Sequence, residues 1–208
     1  MITILVLSQK GGSGKTTIAV HLAICYSKHG KKTVLLDLDP QASAYEWNEA
    51  RPEAKQLDAV KTNASRLGDL LTTASQKGVD VAIVDTPPHS DSNAVISTDG
   101  ADFILIPCRP VRFDMRAVLN TIEIAKMSGK PYAVVLNAAP VRGKLAKDSR
   151  AVLENRGIPV VEPILHHRSA YFHAVLDGQS VHEYQPRGKA TGEINKLYRF
   201  LNKEVTNG

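Results

Sequence analysis

The chain has 208 residues, 43% hydrophobic and 23% charged, which is enough apolar material for a soluble domain with its own core and rules out a disordered composition. Cys25 and Cys108 have no metal-ligand spacing and read as reduced core residues, no apolar run reaches the roughly 18 residues that span a bilayer, and Met-Ile-Thr-Ile-Leu lacks the basic region of a signal peptide. A net charge of +5 points to a polyanionic partner, whereas only 5% aromatic residues argues against a reader of stacked single-strand bases.

In chain order the pattern predicts a strand at 2–8, helix 15–29, strand 33–37, helix 41–50, a weak strand at 57–60, helix 65–77, and strands 80–85 and 102–107. Helix 113–129, strand 131–137, helix 145–156, a weak strand at 158–161 and helices 169–177 and 188–205 follow. The strands are almost continuously apolar, as in Val81-Ala82-Ile83-Val84, which is the signature of strands buried on both faces. The expected fold class is therefore α/β: a doubly wound, mostly parallel sheet flanked by helices, forming a single domain over 1–208 with no N-terminal DNA-reading module.

The strongest functional signal is Ser8-Gln9-Lys10-Gly11-Gly12-Ser13-Gly14-Lys15-Thr16-Thr17, between the first strand and the first helix. Gly11, Gly12 and Gly14 allow a tight turn whose N–H groups cradle a phosphate chain. Lys15 is placed for the β- and γ-phosphates, Thr16 for Mg²⁺, and Thr17 for the phosphate nearest the sugar. The plain motif has glycine where Gln9 stands, and it does not require a second lysine such as Lys10. Two further segments place carboxylates at strand ends. Leu35-Leu36-Asp37-Leu38-Asp39-Pro40-Gln41 carries two on opposite sides of the chain, and Val81–Val84 run into Asp85-Thr86-Pro87-Pro88. Asp39 before Pro40 also suits a helix N-cap.

The string 9–17 resembles the deviant phosphate loop of the ParA/MinD family of ATPases, and its Gln-Lys-Gly-Gly variant is most similar to the short ParA branch that segregates plasmids and chromosomes. The segments 35–43 and 81–88 resemble that family's two switch regions, Ile106-Pro107-Cys108-Arg109-Pro110 with Asp114 its dimer-face segment, and Gly178-Gln179-Ser180-Val181 its C-terminal segment. The resemblance implies that Lys10 reaches the nucleotide of a second subunit, making Lys10, Lys15 and Asp39 the catalytic set. It further implies that Asp39 positions the attacking water, that Thr16, Asp37 and Asp85 serve the metal, and that residues 11–17 with Asn137 hold the nucleotide. A turn asparagine is the equal alternative for Asn137. No glutamate follows Asp85, which favours slow, partner-stimulated hydrolysis.

The same resemblance implies ATP/ADP and Mg²⁺ as cofactors and a cytoplasmic, nucleoid-associated bacterial protein. It implies an ATP-dependent homodimer on nonspecific DNA, released by a centromere-binding adaptor of ParB-like or small ribbon-helix-helix type. Arg187, Lys189, Lys196, Arg199 and Lys203 are the DNA candidates, although Glu193 and Glu204 interleave with them as on a solvated helix face. The stripe Ile194, Leu197, Tyr198, Leu201 and Val205 reads as a docked helix, so no stable membrane association is expected. Three alternatives stay open: a MinD-like membrane-cycling ATPase, a ligase or reductase of the same superfamily, and a nonenzymatic filament scaffold.

Overall fold

The computed structural model describes residues 1–88, 95 and 97–207. Six strands form one sheet: β1 (Ile2–Val6), β2 (Thr33–Asp37), β3 (Asp58–Lys61), β4 (Val81–Asp85), β5 (Phe103–Cys108) and β6 (Tyr132–Leu136). Their order is β3-β2-β4-β1-β5-β6, and every pairing is parallel. The helices are α1 (Lys15–Lys28), α2 (Ser43–Glu49), α3 (Leu67–Gln76), α4 (Arg112–Met127), α5 (Leu145–Glu154), α6 (Ser169–Leu176), α7 (Val181–Tyr184) and α8 (Lys189–Asn207). Each predicted helix thus has a counterpart, and α7 is a short addition. The weak strand expected at 158–161 is reduced to parallel bridges from Val134 to Val160 and from Ala139 to His166, because Pro159 and Pro163 remove ladder donors.

Side chains of successive strand residues enter two separate cores, as pleating requires. Ile4, Val6, Ile83 and Leu105 pack with α1, α2 and α6–α8 on one face, while Leu5, Leu7, Val84 and Ile104 pack with α3–α5 on the other. Helix α1 runs beneath the sheet with Ile18 to Tyr26 buried, which fixes its N-terminus at the carboxyl end of β1. Both cysteines are buried thiols, pushed by that burial up to about 12.

A buried ion pair closes the corner where α2 meets α7. Arg51, 3% exposed, donates from Nη1 and Nη2 to the two Glu183 oxygens at 3.0 and 2.8 Å and also from Nη1 to the Gly178 carbonyl at 2.8 Å. Its guanidinium lies 4.7 Å over the Trp47 ring. Partial burial opposes ionisation of Glu183, but Arg51 and the Ser180 N–H prevail and bring its pKa down to about 2. Glu183 therefore contributes stability above its ordinary value of 4.5, and this contribution is lost as pH falls toward 2. Arg51→Ala leaves that carboxylate unpaired and is expected to cost about 3–5 kcal/mol of unfolding free energy, measured by urea denaturation at pH 7.

Candidate nucleotide site

Register builds the site. Val6 is level with Asp85, and Asp85 is level with Asp37, so β1, β4 and β2 end side by side. Beyond Val6 the chain turns through residues 8–14, with Gly12 at φ +71° and Gly14 at φ +94°, into the first turn of α1. Those left-handed angles favour glycine. The amide of Asn137, from the end of β6, fills the place that a Cβ on residue 14 would take, and its Nδ2 donates to the Ser13 carbonyl at 2.8 Å. Asn137, expected at a purine edge, is a buttress of the loop in this arrangement.

Lys15 is 6% exposed and donates from Nζ to the Lys10 carbonyl at 3.3 Å, curled into the bowl of its own loop. Burial lowers its pKa, against the attraction of Asp85 and Asp39. Thr16 Oγ1 donates to Asp85 Oδ2 at 2.6 Å. The other Asp85 oxygen is buried and has no hydrogen-bond partner among the described residues, nor does Ser13 Oγ. Burial drives the Asp85 carboxyl up to about 7, with the Thr16 hydroxyl opposing the shift. An orphaned carboxylate oxygen next to a hydroxyl fits the water shell of a divalent cation. Thr16 and Asp85 together offer two oxygens, which fits Mg²⁺, an ion that takes few protein ligands and is otherwise held by phosphates and water.

The two switch aspartates divide differently from the expectation. Asp37 is fully buried; its Oδ1 accepts from Asp39 N at 3.0 Å and its Oδ2 from Ala44 N and Tyr45 N at 2.9 and 3.0 Å. It caps α2 and folds the switch segment, with both oxygens committed to the backbone rather than turned to a metal. Asp39, the one that suited a cap from sequence, accepts among the described residues only from Gln41 N, at 3.0 Å, and lines the cavity. Lys10 also has a partner in its own chain: its ammonium is ion-paired with Asp114 at the start of α4.

The loop opens into a cavity of about 500 Å³, a volume suited to a nucleotide. Gly11, Gly12 and Lys15–Thr17 line one end, and Leu165, His166, His167, Arg168, Tyr171 and Phe172 the other. This second wall carries no motif. Its only sequence signal is the polar run His166-His167-Arg168 after the weak apolar stretch, at the end of the sheet where ligands bind. His21 lies beneath the cavity, fully buried, with burial holding it down to about 3 and Val181 N donating to its Nδ1 at 3.4 Å.

Glu193, which interleaves with basic residues in the sequence, turns inward. Its carboxylate accepts from Arg168 Nε and Nη2 at 2.9 and 2.7 Å, from His166 N at 3.1 Å and from the Tyr171 hydroxyl at 3.2 Å, with His166 Nδ1 at 2.7 Å. Lys189, Lys196, Arg199 and Lys203 occupy the outer side of α8, exposed together with Arg187 and ion-paired to no acid among the described residues. Ile194, Leu197 and Leu201, by contrast, are wholly buried in the core that α1 shares.

The family described as the CobQ/CobB/MinD/ParA nucleotide binding domain matches residues 4–181. The chain belongs to this family. The Maintenance of carboxysome distribution protein A of Gloeobacter kilaueensis is 33% identical over 203 residues, covering 96% of this chain and 92% of its own. Protein ParA of Rhizobium radiobacter is 26% identical, covering 96% and 94%. Among solved structures, apo McdA of Cyanothece superposes with a TM-score of 0.77 at 17% identity, covering 99% of both chains, and MinD of Pyrococcus furiosus with 0.77 at 18%, covering 97% and 98%. The fold is therefore that of the ParA/MinD phosphate-loop proteins. Other neighbours at similar likeness were solved as an ATP complex of Cyanothece McdA and an Mg-ADP complex of MinD from Pyrococcus horikoshii.

Because the folded-state pKa of Asp85 lies near 7, above the ordinary 3.8, its contribution to the stability of the nucleotide-free protein is full below about 4 and declines as pH rises through 7. Asp85→Asn is expected to remove that decline and raise the melting temperature at pH 8 by a few degrees, while abolishing Mg²⁺-dependent nucleotide binding. Thermal melts from pH 5 to 8, with and without Mg·ATP, check both.

Proposed function

We propose that this protein is a positioning ATPase of the ParA/MinD family that holds DNA as an ATP-loaded dimer and moves a cargo recruited through an adaptor. Lys15 and the loop N–H groups bind the phosphates, and Thr16 with Asp85 would hold Mg²⁺, which supplies charge neutralisation on the phosphates when bound. Asp39, left free by the capping role of Asp37, orients the attacking water. Formation of the dimer draws Lys10 away from Asp114 toward the partner's nucleotide, so loss of the γ-phosphate reverses the exchange.

The observation that carries the DNA reading is the outer face of α8. Of its two acids, Glu193 is withdrawn into the protein and Glu204 stays exposed near the C-terminal end, so Lys189, Lys196, Arg199 and Lys203 form an exposed stripe interrupted by no acid before Glu204. Contacts of this kind meet phosphates and carry no sequence preference. The apolar side of α8 is buried in the core beside α1, which disfavours the membrane-cycling alternative.

Two cargoes fit this chemistry. A plasmid or chromosome bound by a centromere-binding adaptor is the first, supported by the Gln-Lys-Gly-Gly loop and the relative named ParA. A protein body is the second, supported by the 33% identity to a protein named for carboxysome distribution.

Fluorescence anisotropy with random duplex DNA is expected to show binding that needs ATP and falls steeply with salt, about 0.9 log units per neutralised phosphate per log unit of salt. Lys196→Glu with Arg199→Glu should lower DNA affinity more than tenfold and leave ATP binding unchanged; equal binding by this variant would remove α8 from the DNA contact. Asp39→Ala should accumulate an ATP-bound dimer with turnover reduced by a factor of 100 or more (order of magnitude). Size-exclusion chromatography with light scattering and phosphate release report these outcomes.

A further inference from the structure

A third cation besides Lys10 and Lys15 stands at the phosphate loop. Arg109 follows β5, and β5 runs beside β1 with Leu7 N donating to the Leu105 carbonyl at 2.9 Å, so the two chain segments leave the sheet together. The side chain of Arg109 is exposed, its guanidinium has no hydrogen bond or ion pair among the described residues, and it lines the nucleotide cavity. Its Nη2 is the nearest heavy atom to the position a Cβ would take on Gly12, 3.9 Å away. Pro107 and Pro110 bracket the residue and stiffen its backbone.

The other two cations are engaged in different ways. Lys10 is held by Asp114, whose side chain is 7% exposed, so within one chain its charge is already neutralised. Lys15 sits on the floor of the bowl, at the point where the middle of a phosphate chain lies. Arg109 thus lines the same cavity as Lys15 and Thr17, on the Gly12 side of the loop, within reach of an anion held by the loop. A planar guanidinium presents paired N–H donors that match two oxygens of a phosphoryl group.

We propose that Arg109 is a catalytic residue that contacts the terminal phosphoryl group within its own chain and stabilises the charge of its transfer to water. The water oxygen bonds to the γ-phosphorus as the bond from that phosphorus to the β–γ bridging oxygen breaks. The bond pair leaves with ADP, and the water proton passes through the released phosphate to solvent. Arg109 neutralises charge on the γ oxygens during this exchange and is not itself consumed.

This proposal rests on the reading of the cavity as an ATP site, and the experiment separates the two. ATP and ADP affinities, ATP-dependent dimerisation and single-turnover hydrolysis are measured on wild type, Arg109→Ala, Arg109→Lys and Lys15→Ala. Absence of ATP binding by wild type would refute the ATP-site reading itself. If it stands, Arg109→Ala is expected to lose about 100- to 1,000-fold in turnover at saturating ATP. ADP affinity should stay within threefold of wild type (order of magnitude), and the dimer should still form. Arg109→Lys should recover ATP affinity but less than a tenth of the turnover (order of magnitude), because an ammonium lacks the paired donors. Turnover by Arg109→Ala within threefold of wild type (order of magnitude) would overturn the proposal. An equal loss of ADP and ATP affinity would overturn it in favour of inner-phosphate binding, and loss of the dimer in parallel with turnover in favour of an interface contact. The exposed, unpartnered side chain makes an unchanged melting temperature the expected control.

Discussion

The alignment of three parallel strand ends is the constraint on which the rest of the site depends. With Val6, Asp85 and Asp37 level across β1, β4 and β2, the loop begins where one carboxylate is ready for Thr16 and another for the turn into α2. A slip of one residue would send those carboxylates to the opposite faces and place apolar side chains at the phosphates. Two apolar cores, one on each side of the sheet, hold that register against the cost of burying charge. The orphaned Asp85 oxygen and the curled Lys15 are the local signs of this cost, and both are groups that a metal-bound nucleotide would satisfy.

The capping role of Asp37 and the open position of Asp39 follow from the same geometry. Asp37 is the last residue of a buried strand, and the first turn of α2 packs directly above it with unsatisfied N–H groups, so capping is the available way to pair its oxygens. Asp39 lies beyond the sheet, where its carboxylate keeps one backbone bond and an open side toward the cavity. A segment anchored by Asp37 at one end and free at Asp39 can change with the occupant of the cavity without disturbing the strand.

Helix α8 joins the nucleotide wall to the outer surface. Its inner side contributes Ile194, Leu197 and Leu201 to the core, and Glu193 gathers Arg168, His166 and Tyr171 into the far wall of the cavity. With Glu193 facing inward, cations outnumber the one exposed acid, Glu204, on the solvent side of the helix. One element thereby shapes the far wall of the cavity and carries the charge proposed for DNA.

Composition and periodicity were sufficient for the α/β class, the parallel sheet and nearly every helix, because strands buried on both faces and one-sided helices leave their periods in the chain. The string 8–17 and the strand-end carboxylates marked the site, because a phosphate cradle needs those residue types at those spacings. Glu193 left no such mark: Lys189 and Lys196 lie one helical turn to either side of it, and only packing against Arg168 and His166 turned it inward. Asn137 as a loop buttress, Asp114 as the partner of Lys10, and the wall at residues 165–172 likewise join residues far apart in the chain. Sequence by itself determined which groups line up along each strand and helix. Which oxygens face a backbone N–H, a cation or an open cavity was decided only when the sheet and its helices closed around them, because hydrogen bonding and desolvation act across space and not along the chain.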